Sequence, residues 1–303
     1  MKIRLFIIPA IIVLIILSFS ARRGRAYTEQ TEIGDPLSRN GESPSLLSKS
    51  IQTNQTGCGS EVVAATNEAF EQKVVELVNQ VRAENGLPPL KRSSKLDQAA
   101  RFQAADMAQE GYFAHDTYDM VNGQLVKVCS TWERIDSYYA GANAENIAAG
   151  YSTPEDVVQG WMDSEGHRDN ILNAYSWEIG VGFYQGPGPY TYYWVQDFGR
   201  GDDFPVIING ESAATDSAEV SIYVYGDFKD MQLCTDGAPW TGWQPFTQSI
   251  SWTLPAGGGK HTVSVMLRDD TNQTVTSSDS IYLDGPAQSN QFTFKVFLPE
   301  VHQ

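Results

Sequence analysis

Residues 161–172 read Trp161-Met162-Asp163-Ser164-Glu165-Gly166-His167-Arg168-Asp169-Asn170-Ile171-Leu172. A helix leads into this stretch. Its start is Thr153-Pro154-Glu155-Asp156, a cap, then a proline in the first turn, then acids that suit the helix dipole. Val157, Val158, Trp161 and Met162 recur at helical spacing and form its buried face. His167 therefore falls just past a helix end, where side chains from several elements can converge.

Downstream, Trp177–Tyr184 and Tyr190–Phe198 are strand-like runs flanking Gln185-Gly186-Pro187-Gly188-Pro189, the pattern of a β-hairpin. Upstream, Phe70, Val74, Leu77, Val78 and Val81 predict an amphipathic helix over 67–85, stopped by Gly86 and Pro88-Pro89. A second helix runs from Ser94, where Ser94-x-x-Asp97 resembles a capping box, to Gly111. A third is expected over 131–139 with Ser130 as cap. Helices first and an antiparallel pair last predict an α+β fold with helices packed on a small sheet.

From Asp203 the pattern changes. Glu219–Tyr225, Gln248–Leu254, His261–Arg268 and Ser280–Leu283 are strand-like, separated by Gly-, Asp- and Asn-rich turns. Residues 205–298 read as an all-β sandwich. At the other end, residues 1–21 carry Lys2 and Arg4 before an apolar run from Leu5 to Leu17, an export signal. Arg22, Arg23 and Arg25 follow directly, so an uncleaved N-terminal membrane anchor is the alternative. Either way the chain is expected outside the cytoplasm, secreted or held at the outer face of the membrane. Residues 22–66, rich in Ser, Thr, Asn and Gln, read as a disordered linker. The α+β unit spans 67–201.

The 303 residues carry a net charge of −16, and residues 58–303 hold 14 Lys/Arg against 33 Asp/Glu. Such a surface repels phosphate backbones, which argues against nucleic acid as a partner. The three cysteines, Cys58, Cys129 and Cys234, form no CxxC pair. A structural zinc knot is thus unsupported, and one disulfide between Cys58 and Cys129 is open. HExxH, GxSxG and the P-loop are all absent, which weakens the standard hydrolase and nucleotide-binding classes.

What remains is His115 in Phe113-Ala114-His115-Asp116, Glu145 in Ala144-Glu145-Asn146-Ile147, and His167. Imidazole and carboxylate together can bind a divalent metal or exchange a proton near neutral pH. From spacing alone, a structural role for such histidines is the commoner outcome.

The chain resembles the CAP family of cysteine-rich secretory proteins, antigen 5 and pathogenesis-related 1 proteins, especially its bacterial SCP-like branch. The matching residues are Val78-Asn79-Gln80-Val81-Arg82, Gly86-Leu87-Pro88-Pro89-Leu90, Phe113-Ala114-His115 and Ala144 through Gly150. Trp161 through Leu172, Ile179-Gly180-Val181-Gly182-Phe183 and Tyr193 through Phe198 complete the set, in family order. The resemblance implies an α-β-α sandwich with a central cleft lined by His115, Glu145 and His167, with Asn146 beside them. It implies zinc or another divalent metal at His115, His167 and Glu145, or a lipid ligand. A peptide or cell-surface partner, and a hydrolase using His115, Glu145 and His167, are alternatives it also carries, as is a purely adhesive role. The family's second histidine falls at Glu178, which keeps a carboxylate ligand but changes the proton chemistry. Residues 233–270 resemble a bacterial immunoglobulin-like module.

Overall fold

The computed structural model describes residues 56–201 and 203–284. The expected export signal or anchor, most of the linker and the end of the β unit lie outside the described residues. Residues 57–66 depart from the linker reading. Cys58 is disulfide-bonded to Cys129, Val63 is buried with its N–H donated to Gln98 Oε1 (2.6 Å), and the Thr66 hydroxyl donates to the Phe183 carbonyl (2.7 Å). A Cα separation of 5.6 Å suits the bridge.

The first half runs α1 (Glu68–Glu84), β1 (Lys91–Arg92), α2 (Ser94–Glu110), β2 (Thr117–Val121), β3 (Gln124–Cys129) and α3 (Thr131–Asp136). It continues with β4 (Ala142–Ala149), α4 (Pro154–Asp163), α5 (Glu165–Ile171), β5 (Glu178–Gln185) and β6 (Tyr192–Gly199). The sheet order is β1-β5-β6-β4, with β1 parallel to β5 and the other pairs antiparallel. The expected hairpin is the β5–β6 pair.

Alternation along the strands sorts side chains to two faces. Ile179, Val181, Phe183, Trp194 and Phe198 join Val74, Val75 and Val78 of α1 and Val157, Val158 and Trp161 of α4 in one core. The opposite face carries α2. There Gly180 and Gly182 explain themselves: a Cβ on Gly180 would stand 2.1 Å from the Leu96 carbonyl carbon, and one on Gly182 2.2 Å from that of Ala100. Only glycine lets α2 lie this close to β5. The result is an α-β-α sandwich.

The caps follow the sequence in two of three cases. Thr153 Oγ1 accepts from Asp156 N, and Ser130 with Glu133 forms a full capping box. The expected box at Ser94-x-x-Asp97 does not form. The cap is Ser93, without a side-chain bond, because Asp97 is drawn elsewhere: it accepts from Val181 N (2.8 Å) and Arg92 Nε (2.9 Å).

The second half holds β7 (Val206–Ile208), β8 (Ala214–Thr215), β9 (Glu219–Val224), β10 (Asp230–Thr235), β11 (Gln244–Pro245), β12 (Ser249–Thr253), β13 (Gly259–Arg268) and β14 (Thr274–Leu283). Two sheets, β11-β10-β13-β14-β8 and β12-β9-β7, enclose a core of Val206, Ile222, Val224, Leu233, Val263, Val265 and Ile281. This fits an immunoglobulin-like sandwich. The two halves lie within one compact unit. Lys91 bridges Glu211 (2.8 Å) and Asp279, Asn79 donates to the Gly210 carbonyl (2.9 Å), and Trp177 stacks on Tyr225 (centroids 4.7 Å apart).

Candidate functional site

The sheet edge formed by β4 sets the site. Glu145 points to the α2 face, directly across the ladder from Asp197 on β6. His115 follows α2, and its Nδ1 lies 2.7 Å from Glu145 Oε1. An ionised carboxylate has only lone pairs to offer, so Nδ1 carries the hydrogen. The other carboxylate oxygen, Oε2, accepts from Nη2 of Arg134 on α3. Arg134 is fully buried, Glu145 is 2% exposed at its side chain, and His115 is 52% exposed. Glu145 therefore works inward, anchored by a buried guanidinium, and holds one edge of an imidazole whose other edge faces solvent.

The hydrogen bond to Glu145, reinforced by its charge, raises the His115 pKa against the opposing effect of burial. His167, on α5, is lowered, first by burial and then by the charge of His115. The two imidazoles thus sit within electrostatic reach of each other. Asn146 points to the opposite sheet face and is fully buried. Its amide donates to the His167 carbonyl (3.1 Å) and accepts from Asn170 (2.8 Å), which ties α5 to β4. Asn146 is a strut for the site rather than part of its lining.

Glu178 does not join this group. It lies on β5, and its Oε2 accepts from the Tyr139 hydroxyl and from Gly201 N (3.1 Å). Two strand spacings and two residues of register separate it from Glu145, about 12 Å between Cα atoms. The residue expected to replace the second histidine belongs to another part of the molecule.

Two residues here were not singled out from sequence. Arg134 lay within the expected third helix with no sign that it would turn inward. Asp197 is fully buried, and neither carboxylate oxygen accepts from a donor. Burial, then the adjoining Glu145 carboxylate, pushes its pKa well above the ordinary range. The signal for it was present: Tyr193, Val195 and Asp197 alternate onto one face, and a carboxylate in that phase marks a buried acid.

The expected metal can be tested against these donors. Both Glu145 oxygens are committed, one to the imidazole and one to a cation that repels a second positive charge. Among the described residues, no group of three or more His, Cys, Asp or Glu is arranged to hold an ion. The donor set does not fit a His/Glu metal site, so no step is derived through one.

A separate feature lies on the other face. Between α1 and α4 runs a groove of about 880 Å³, floored by Phe70, Leu77, Val81, Val158 and Met162. Neither His115 nor Glu145 lines it.

Residues 75–198 match the sequence profile of CAP, the cysteine-rich secretory protein family. This segment is a CAP domain. An uncharacterised Bacillus subtilis (strain 168) protein, YkwD, is 41% identical over 133 residues, 43% of this chain and 47% of that protein. YlbC, an uncharacterised membrane protein of the same organism, is 32% identical over 114 residues, 37% of this chain and 31% of that one. The chain thus spans less than half the length of the curated relatives it matches. A crystal structure of an extracellular SCP-domain protein from Bacillus anthracis str. Ames is 30% identical, with a TM-score of 0.38 over 44% of this chain and 41% of that one. Asn79 bonds Leu90 in both directions, and the buried Arg82 donates to the carbonyls of Pro88, Ile171 and Asn173, so those motif residues pin loops to helices.

Proposed function

We propose that this protein is a non-catalytic binding protein of the extracytoplasmic space, and that its CAP domain takes the apolar chain of a lipid in the groove between α1 and α4. The observation that carries this is the groove itself. Its α1 wall runs from Phe70 to Val81, about 16 Å at 1.5 Å per residue, the reach of a medium acyl chain. Its floor is apolar, with Phe70, Leu77, Val81 and Met162 partly buried against the core and the groove open above them. Glu76, Glu84 and Glu155 on the rim, against one Lys73, favour a neutral head group over an anionic one. Placement outside the cytoplasm is supported by the Cys58–Cys129 disulfide, which an oxidising compartment preserves, and by the N-terminal sequence.

The hydrolase reading has less support. Among the described residues the His115 ring bonds only Glu145, and no hydroxyl or thiol is hydrogen-bonded to either the His115 or the His167 ring. A nucleophile for the dyad to activate is therefore missing from its hydrogen-bond partners. The test is lipid co-purification read by native mass spectrometry of the exported protein, followed by rebinding of a neutral fluorescent lipid. Leu77→Glu and Met162→Glu should each abolish rebinding while leaving the fold intact, and His115→Ala should leave it unchanged. Full rebinding by both groove variants would overturn the proposal, as would its loss in His115→Ala alone.

A further inference from the structure

A second cavity, of about 450 Å³, opens where the CAP domain meets the β-sandwich. Its walls differ in kind from the groove. On one side stands the N-terminus of α2, a helix of 17 residues. Its cap, Ser93, makes no capping bond, is 9% exposed, and has a hydroxyl without a partner among the described residues. The first-turn N–H groups of Ser94 and Lys95 have no acceptor within the helix, and the dipole places partial positive charge there. The neighbouring cations are already spent. Lys91 is held by Glu211 and Asp279, and Arg92 by Glu71 and Asp97. Lys95 is the lining cation left unbonded among the described residues.

On the adjoining side lies Glu178, 8% exposed. Its Oε2 is taken by Tyr139 and Gly201, while Oε1 accepts from no donor among the described residues, and Glu178 lines the cavity. Asp203 adds a second carboxylate to this side. Glu178 pairs with Lys91 in the β1–β5 ladder, and Ser93 N donates to the Ile179 carbonyl, so Ser93 and Glu178 are neighbours about 5–8 Å apart. An anion-receiving helix end and a carboxylate with one oxygen uncommitted thus line one small space. A simple anion would meet Glu178, and a simple cation would meet the helix end and Lys95.

We infer that this cavity is a binding site for a free α-amino acid, its carboxylate on the α2 N-terminus, Ser93 and Lys95, and its ammonium on Glu178 and Asp203. A zwitterion satisfies both groups at once, with its charges separated by one carbon. The remaining volume admits a side chain against Ser277 of β14. The site is independent of the lipid groove and exists only because the two halves pack together.

The experiment is isothermal titration calorimetry of the full chain with glycine, D- and L-alanine, serine and glutamate. Propionate and ethylamine, each lacking one of the two charges, are the controls. Binding of at least one amino acid is expected, with either control weaker by about tenfold or more. Lys95→Glu, an exposed change that does not threaten the fold, should weaken binding by a similar factor, and Glu178→Gln should abolish it. Leu77→Glu should leave it unchanged, which separates this site from the groove. Silence across the panel, equal binding of propionate, or indifference to both Lys95→Glu and Glu178→Gln would overturn the inference.

Discussion

A histidine half in water usually titrates as it would in a peptide; His115 should not. Its Nδ1–H is fixed on Glu145, whose other oxygen is held by Arg134. The imidazolium is thereby favoured, and NMR titration of the ring should place its pKa above 6.5, the ordinary histidine value. In Glu145→Gln the pKa should drop back toward that value. A native pKa at or below 6.5 would show that the Glu145 bond does not persist in solution. Reading the chain alone brought out His115, Glu145 and His167, because histidine is scarce and the pattern put these residues at loop and helix ends, although Glu145 lies inside β4 and His167 within α5. It could not reveal that Glu145 faces a buried cation, since a helix of one and a half turns such as α3 has too little periodicity to say which face turns inward. For the same reason Glu178 was grouped with the wrong neighbours: sequence order along β5 says nothing about which loop closes over its end.

At the scale of elements, the α2–β5 contact is the most sharply determined. The fold demands a helix backbone in contact with a strand backbone, and Gly180 and Gly182 are what make that possible. Gly180→Ala places a methyl group against the Leu96 backbone, which has no flexible end to yield. It should destabilise the protein by about 3 kcal/mol, the upper range for overpacking, read as a shift in the denaturation midpoint at constant slope. Gly166→Ala is the control, because a Cβ there meets nothing within 4 Å. The elements themselves were legible in sequence. Periodicity located α1, α2 and α4, and alternation located the β5–β6 hairpin, since the patterns for a helix face and a strand face differ in period. The capping box at Ser94 was not, because Asp97 has better partners across space in Arg92 and Val181 than along the chain in its own helix. The Cys58–Cys129 bridge was one open reading of the sequence, but the ordering of residues 57–66 that comes with it was not legible. A polar segment with one buried valine and one cysteine looks like linker until the residue that Cys58 meets is known.

For the whole molecule, the buried acids set a direction. Asp106 is pushed up to about 7 by burial, against the Tyr112 hydrogen bond that lowers it. Glu211, at the junction of the halves, is also raised to about 7, chiefly by burial. Asp197 is also raised, by burial and then by Glu145. Each of these groups binds its proton more tightly folded than unfolded. The stability this contributes is complete below the unfolded values of 3.8–4.5 and is lost as pH rises through the folded ones. His115, also raised, loses its contribution in the same direction. His167, lowered, runs the opposite way as the sole group of this kind among the described histidines. Lys91 is raised because Glu211 and Asp279 outweigh its burial, and its contribution survives throughout this range. The protein should therefore be most stable near pH 5 and lose stability toward pH 8, opposite to the usual gain as paired carboxylates ionise. Differential scanning calorimetry at constant ionic strength should show Tm falling over that interval, by roughly 2–4 °C for each kcal/mol lost. In Asp106→Asn the slope should flatten in part, because one of the two groups that release a proton near pH 7 is gone. A Tm that rises from pH 5 to pH 8 would mean that these carboxyls are ionised in the folded state, with water or an ion reaching Asp197 to supply the donors that its two oxygens lack.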